Sequence, residues 1–405
     1  MTRKILCLFI ALMMSVVAFS GIAGAEALPE TPEITIPVIE NMKQFELPDN
    51  EALRFVRDMK TGWDLGNTFD AYDNEGWFKG PEPNMETAWH GIKTSRELIA
   101  TIKEAGFNTI RIPVSWHNHV NENNEIDPVW MARVKEVAGW AVEEGMYVII
   151  NVHHDNLTEF FYPDSEHFDV SAAYLTAVWM QMAQAFAEFD EHVVLESMNE
   201  PRLVGTDVEW NFKASSPECQ DAAECINKLN QLFVDTVRAT GGNNATRYLM
   251  VPGYCGSPAG VVTEYFRMPE DTADNRIILE VHAYTPYDFA LSQGGYSTFE
   301  LTESSKISQI GLFMNDLYNK YVSKGIPVII DEYGAMEKNG NLQDRVNFAA
   351  YYVCAASARG ITCCWWDNCA FTGNGERFGI IDRRTCEWRY PEIVEAIMKN
   401  CLYNR

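Results

Sequence analysis

Apolar and polar positions recur along this chain in two patterns. Eight short runs are apolar through most of their length and close on polar or aromatic residues. They are GWDLGN (62–67), TIRIPV (109–114), YVIINVHH (147–154), VVLESMNE (193–200), YLMVPG (248–253), RIILEVHAY (276–284), PVIIDEYG (327–334) and ITCCWWDN (361–368). Between most of them lie longer stretches with apolar residues every three to four positions, at about 94–105, 128–144, 171–188, 222–240, 305–324 and 341–358. Short apolar runs bounded by turn residues read as buried strands, and the longer spacing reads as amphipathic helix. Leu98, Ile99 and Ile102 share one face of such a helix, with Gly106 at its stop position. Asp127-Pro128 is a cap followed by a first-turn proline. Strands alternating with helices imply a parallel sheet, and eight of them imply a single (β/α)8 TIM barrel. A doubly wound sheet is the alternative. It would bring a glycine-rich phosphate turn after the first strand, and here that turn reads LGNTFDAY.

Length and composition narrow the picture. The 405 residues suffice for one large barrel, and 47% hydrophobic content supports a large core. The net charge of −25 argues against a nucleic-acid partner, because phosphate contacts need Lys and Arg. The N-terminus carries a secretory pattern: Arg3 and Lys4, an apolar run from Ile5 to Phe19, and Ala23-Gly24-Ala25 as a cleavage site. Residues 1–25 are therefore expected to be a signal peptide, cleaved near Ala25, and the mature protein to be extracellular. Residues 26–50, with several Pro and Glu, read as a leader or linker, and 51–405 as one catalytic domain. No later segment is apolar for long enough to span a bilayer. Nine cysteines follow the signal, an odd number that leaves at least one without an intramolecular bridge. Cys219 and Cys225 flank what reads as a short polar loop and are the first choice for a disulfide. Cys363 and Cys364 read as small apolar groups in a strand.

Chemistry in such a barrel belongs at the C-terminal ends of the strands. The tips there are Asn67, Arg111, His153 with His154, Asn199 with Glu200, His282 with Tyr284, Glu332, and Trp365 with Trp366. Only the fifth run, YLMVPG, lacks a polar tip. In VVLESMNEPR, alternation puts Glu196 and Glu200 on one strand face, Glu196 about 13 Å deeper. Glu196 is expected to be a buried acid paired with Arg or His near the barrel floor. Asp331 is expected to face away from Glu332 and to be structural. His153 and His154, as strand neighbours, should face opposite ways, so a shared metal ion is not expected.

The ordered segments GWDLGNTFDA, TIRIPVSW, VIINVHHD, ESMNEPR, HAYTPYDFA, IIDEYGA and CWWDN resemble glycoside hydrolase family 5, in its endo-β-1,4-glucanase and xyloglucanase branch. The resemblance covers roughly residues 50 to 400. It implies Glu200 as acid/base and Glu332 as nucleophile of a retaining hydrolysis. It implies Arg111 as the partner of the nucleophile, and His153, Asn199, His282 and Tyr284 as supporting groups. Trp366 matches the platform beneath the sugar, and Asn67, His154 and Trp116 are candidate neighbours in the cleft. One departure stands out. The branch reads Gly-Glu-Phe-Gly at the nucleophile, where this chain has Asp331-Glu332-Tyr333-Gly334.

The expected activity is secreted endo-acting cleavage of β-1,4 bonds in cellulose-type, mixed-linkage or xyloglucan polymers, by a monomer without metal or cofactor, nucleic acid or membrane. A β-mannanase on the same scaffold is the nearest rival, and a non-catalytic carbohydrate-binding barrel is the rival from another class. Trp77 in NEGWFKG is the expected exposed sugar platform. The Asn156 and Asn244 sequons read as coincidental.

Overall fold

The computed structural model describes residues 33–404, and its compact unit begins at Thr35. The signal-like segment lies outside the described residues. Eight parallel strands close into a barrel in chain order: β1 Thr61–Leu65, β2 Thr109–Ile112, β3 Tyr147–Ile150, β4 Val193–Glu196, β5 Leu249–Val251, β6 Ile277–His282, β7 Val328–Tyr333 and β8 Thr362–Asp367. A small antiparallel pair follows, β9 Ile381–Asp382 and β10 Glu387–Trp388. The helices are α1 Glu51–Met59, α2 Arg96–Glu104, α3 Pro128–Glu143, α4 Phe168–Ala185, α5 Pro217–Ala239, α6 Pro258–Val262, α7 Tyr287–Ala290, α8 Ser304–Lys320, α9 Leu342–Ser357 and α10 Pro391–Asn400. This is the TIM barrel that the alternating pattern implies. Among the described residues no helix is long and apolar enough to cross a membrane.

Helix α1 closes one end of the barrel. Asn50 caps it by accepting the Leu53 N–H at 2.8 Å, and donates to the Gly325 carbonyl at 2.7 Å. Ala52, Phe55, Val56 and Met59 then meet Ile149, Val194, Tyr248, Met250, Ile278 and Ile329, which come from the region of β3 through β7. Ahead of α1 the chain is extended. Thr35, Ile39 and Phe45 donate their N–H groups to Gln343, Asn400 and Ala358 of the α9 and α10 region.

Two positions further along β4, β6 and β7 the inward residues change character, to Glu196, Glu280 and Asp331. With Asp64 and Arg111, which face each other on β1 and β2, they form a fully buried charged layer. Barrel interiors are usually filled by branched apolar residues, so this layer is unusual. It also overturns the expectation for Asp331. The pairing of β6 with β7 runs Val281 to Ile330 and then His282 to Glu332, skipping Asp331. The pairing of β7 with β8 shifts at the same place. An extra residue in a strand re-aims side chains. Asp331 keeps the inward face that alternation from Ile329 gives it, with Oδ2 3.2 Å from Arg111 Nε, and the bulge turns Glu332 inward beside it, so the two neighbours do not face opposite ways.

Cys219 and Cys225 are both buried in α5, six residues apart on one helix, and are not bridged. The polar stretch between them is helix, not loop, and a rise of about 1.5 Å per residue keeps their backbones too far apart for a disulfide. Asn244 is fully buried and hydrogen-bonded to Ala183, Thr240 and Arg247, which leaves no room for a glycan.

Candidate active site

The strands at the mouth stop earlier than their apolar runs suggest. β3 ends at Ile150 and β4 at Glu196. His153, His154, Asn199 and Glu200 therefore sit on irregular backbone that arches over the mouth. Side-chain hydrogen bonds hold that backbone in place. Asn151 accepts the Val114 N–H at 3.0 Å and donates to Glu196 at 2.7 Å. Trp179 Nε1 donates to the Ser197 carbonyl at 2.8 Å. Early termination also corrects the depth of Glu196. It lies in the charged layer just under the site, not at the floor, and forms a two-pronged pair with Arg111 (Nε–Oε2 2.8 Å, Nη2–Oε1 2.7 Å). The expected Arg partner is the right one.

Arg111 joins that layer to the mouth. Its Nη1 donates to Glu332 Oε1 at 2.6 Å and its Nη2 to Asn199 Oδ1 at 2.8 Å. Tyr284 donates its hydroxyl to Glu332 Oε2 at 3.0 Å. His282 Nδ1 stands 2.9 Å from Glu200 Oε1 and 3.5 Å from Glu332 Oε2. Oxygens of Glu200 and Glu332 and a nitrogen of His282 all lie within 4.8 Å of one another. Two carboxyls from β4's loop and β7 thus meet across one imidazole, reached from 132 residues apart in sequence.

Trp366 is nearly buried among Met336, Phe378, Tyr284 and Leu291, and its ring stacks parallel to His153 at 5.8 Å. Gly66 makes that position possible, since a Cβ there would fall 2.7 Å from the indole. His154 is not turned away from His153. Beyond the end of β3 the two-residue alternation lapses, and the rings meet edge-on at 4.4 Å. His154 also packs against Tyr72 and Trp89, and its Nε2 lies 4.0 Å from Asp70, whose oxygens accept the Asn67 and Thr68 N–H groups. Asn67 is partly exposed beside them, with a left-handed φ of 58°.

Trp116 does not reach the cleft. It is fully buried, and its indole N–H is spent on the Asn151 carbonyl at 2.9 Å. Trp63 and Trp365 are core as well, whereas Trp77 is 51% exposed on the loop after β1. Sequence reasoning missed Trp210, 55% exposed, with the Arg202 guanidinium 4.1 Å over its ring. Arg202 donates to the Glu200 carbonyl. The signal was present in the motif itself, as the arginine that closes NEPR.

Protonation follows the packing. Burial opposes charge on His282, but Glu332 and Asp331 outweigh it and hold the imidazole well above its ordinary value. Burial raises Glu200, yet the His282 hydrogen bond and charge win and leave it below the usual range. Burial wins at Glu332, which sits above that range although His282 and Arg111 oppose it. His154 is pushed down to about 4, by burial first and by Arg202 second. An unfolded imidazole titrates near 6.5. Between those values the unfolded chain binds a proton that native His154 refuses, so stability present above about pH 6.5 is lost as the pH falls toward 4. The urea midpoint of the wild type should therefore drop more between pH 7 and pH 4.5 than that of His154→Asn. Equal drops would place the loss elsewhere.

Residues 70–372 match the family model described as cellulase, glycosyl hydrolase family 5. The chain belongs to glycoside hydrolase family 5. It is a glycoside hydrolase. Among its relatives, endoglucanase 1 of Ruminococcus albus is 38% identical over 373 residues, covering 91% of this chain and 86% of the relative. A family 5 lichenase from a Caldicellulosiruptor species, solved as a mutant with cellotetraose, is 53% identical with a TM-score of 0.89, covering 91% of this chain and 100% of that one. A broad-specificity endoglucanase from Ruminococcus champanellensis, solved with cellotriose, is 43% identical with a TM-score of 0.80, covering 87% of this chain and 100% of that one.

Proposed function

We propose that this enzyme is a secreted, retaining endo-β-1,4-glucanase, with Glu332 as nucleophile and Glu200 as acid/base. One observation carries the stereochemical reading: the two carboxyls approach within 4.8 Å. Retaining glycosidases hold them about 5–5.5 Å apart, whereas inverting ones leave about 6.5–9.5 Å for a water. Glu332 attacks the anomeric carbon while Glu200 protonates the leaving oxygen. Water activated by Glu200 then releases the sugar from Glu332.

The first step needs a protonated Glu200 and an ionised Glu332, and bound substrate favours that arrangement. A glycosidic oxygen against Glu200 accepts a hydrogen bond only from a protonated carboxyl. The positive charge growing at the anomeric carbon favours an ionised Glu332, which already accepts hydrogen bonds from Arg111 and Tyr284. Once Glu332 is esterified its charge is gone, so Glu200 loses a neighbour that disfavours its own ionisation and can act as base.

The lichenase and endoglucanase relatives, two of them solved with cello-oligosaccharides, support β-glucan as substrate. The signal-like segment supports export. The deciding experiment is proton NMR during hydrolysis of barley β-glucan oligosaccharides. β-Anomers should appear first and mutarotate later. First-formed α-anomers would overturn retention, and cleavage of mannan alone would overturn the substrate. Trp77→Ala should raise KM for long β-glucan about tenfold, worth ~1.4 kcal/mol of stacking, with little change on an aryl cellobioside. An unchanged KM on the polymer would remove Trp77 from the binding surface.

A further inference from the structure

Directly beneath the reacting carboxyls, both side-chain oxygens of Asp64, Glu280 and Asp331 are buried and accept no well-aligned hydrogen bond from any described group. Arg111 Nε is near Asp331, but its N–H is aimed at Glu196. Glu280 Oε1 and Asp331 Oδ1 lie 3.5 and 3.8 Å from His282 Nε2, and oxygens of both acids lie within 4.8 Å of one another and of that ring. Six carboxyls in all, those of Asp64, Glu196, Glu200, Glu280, Asp331 and Glu332, share three cationic groups: Arg111, His282 and, at the rim, Arg202, whose Nη1 lies 3.7 Å from Glu200 Oε2. Adjacent carboxylates in an apolar interior cannot both ionise, and one keeps its proton.

We propose that Glu280 and Asp331 share one proton as a carboxyl pair under His282, and that this pair positions the imidazole as a doubly protonated bridge between Glu200 and Glu332. The pair then carries one negative charge. His282 Nε2–H points down to it, and Nδ1–H points up to Glu200. A metal ion is a poor occupant of the same place, because the Arg111 guanidinium, with Nη2 3.4 Å from His282 Nε2, keeps a fixed positive charge beside it. Burial, with Glu196 and Asp331 as neighbours, lifts Glu280 well above the carboxylate range, in keeping with a held proton. The other titratable groups facing this ring and pair are Arg111 on β2, His153 beyond β3, Glu196 and Glu200 on β4 and its loop, Glu332 on β7, Asp64 on β1 and the Cys364 thiol on β8.

The proposal rests on the hydrolytic reading for its rate measurement only. Nitrogen-15 NMR of histidine-labelled protein, with His282 assigned by its absence in His282→Asn, needs no substrate. Both His282 nitrogens should stay protonated at pH 7.5 in the wild type. In Asp331→Asn, and further in Asp331→Asn with Glu280→Gln, the ring should titrate at least about one pH unit lower. Both limbs of the kcat/KM profile should then move to higher pH by up to about one unit, because the charge lost from His282 is nearer the reacting carboxyls than the charge removed below. A neutral His282 in the wild type at pH 7 overturns the proposal, even if neither variant folds. So do identical titrations in wild type and variants. Calcium or magnesium retained at one equivalent by the purified wild type, and lost in the double variant, would replace the shared proton by an ion and overturn it as well. A wild type inactive on β-glucan would count against the hydrolytic reading and leave the NMR result standing.

Discussion

Glu332→Gly should abolish turnover of β-glucan, by at least roughly 10⁴-fold or about 5.5 kcal/mol of barrier, and added sodium azide should restore part of it. The glycine leaves a hole where the nucleophile stood, and a small anion can enter it. Azide then attacks the anomeric carbon once, with inversion, so the product should be a glycosyl azide of α configuration. The fold should survive, because Arg111 keeps its two bonds to Glu196 and its bond to Asn199. The partner variant answers the complementary question. Glu200→Gln should lose most activity on β-glucan and far less on a 2,4-dinitrophenyl cellobioside, whose leaving group departs without a proton. An inactive Glu332→Gly that azide never rescues, with product formed equally well by Glu200→Gln on both substrates, would dismantle the assignment.

Arg111→Met should cost about 3–5 kcal/mol, the usual consequence of removing one member of a buried ion pair, and lower Tm by roughly 10 °C at pH 7. The volume is nearly kept, so the loss is one of charge. Glu196 already sits at about 7 with the guanidinium in place, raised by burial against Arg111. Without Arg111 it rises further. A raised acid holds in the native state a proton that the unfolded chain releases. Its penalty is therefore absent below the unfolded value near 4.5 and grows as the pH climbs toward the folded value. The gap in Tm between wild type and Arg111→Met should shrink from pH 7 to pH 5. A gap independent of pH would mean that Arg111 acts through packing.

The barrel and most of its mouth are legible in the sequence because a polar tip on a buried apolar strand is costly unless it meets a partner or a ligand. Arg111, Asn199, Glu200, His282, Tyr284, Glu332 and Trp366 converge because each lies near, or a few residues past, the C-terminal end of a strand of one closed sheet. The errors share a cause. Two-residue alternation misplaces Glu196, Asp331 and the His153-His154 pair, because it holds only while a strand stays regular. β4 stops at Glu196, β7 bulges at Asp331 and β3 stops short of both histidines. Nothing local announces any of these. Indoles fail differently. Trp116 and Trp366 both sit in or just after apolar runs, and only the tertiary packing decides which one stands beside His153 at the mouth. Helix α1 is readable in principle, since Ala52, Phe55, Val56 and Met59 follow a cap at Asn50, but a reading that opens the domain with a strand passes over it.

That helix has a consequence for assembly. It is among the first segments of the described chain to be synthesised, yet its resting place is built from side chains as far along as Ile329. Loop-closure entropy must be met before such distant contacts give any return. The base of the barrel therefore cannot be stoppered until seven of its eight staves exist, and a nascent chain carries a greasy, unhoused segment for most of its synthesis.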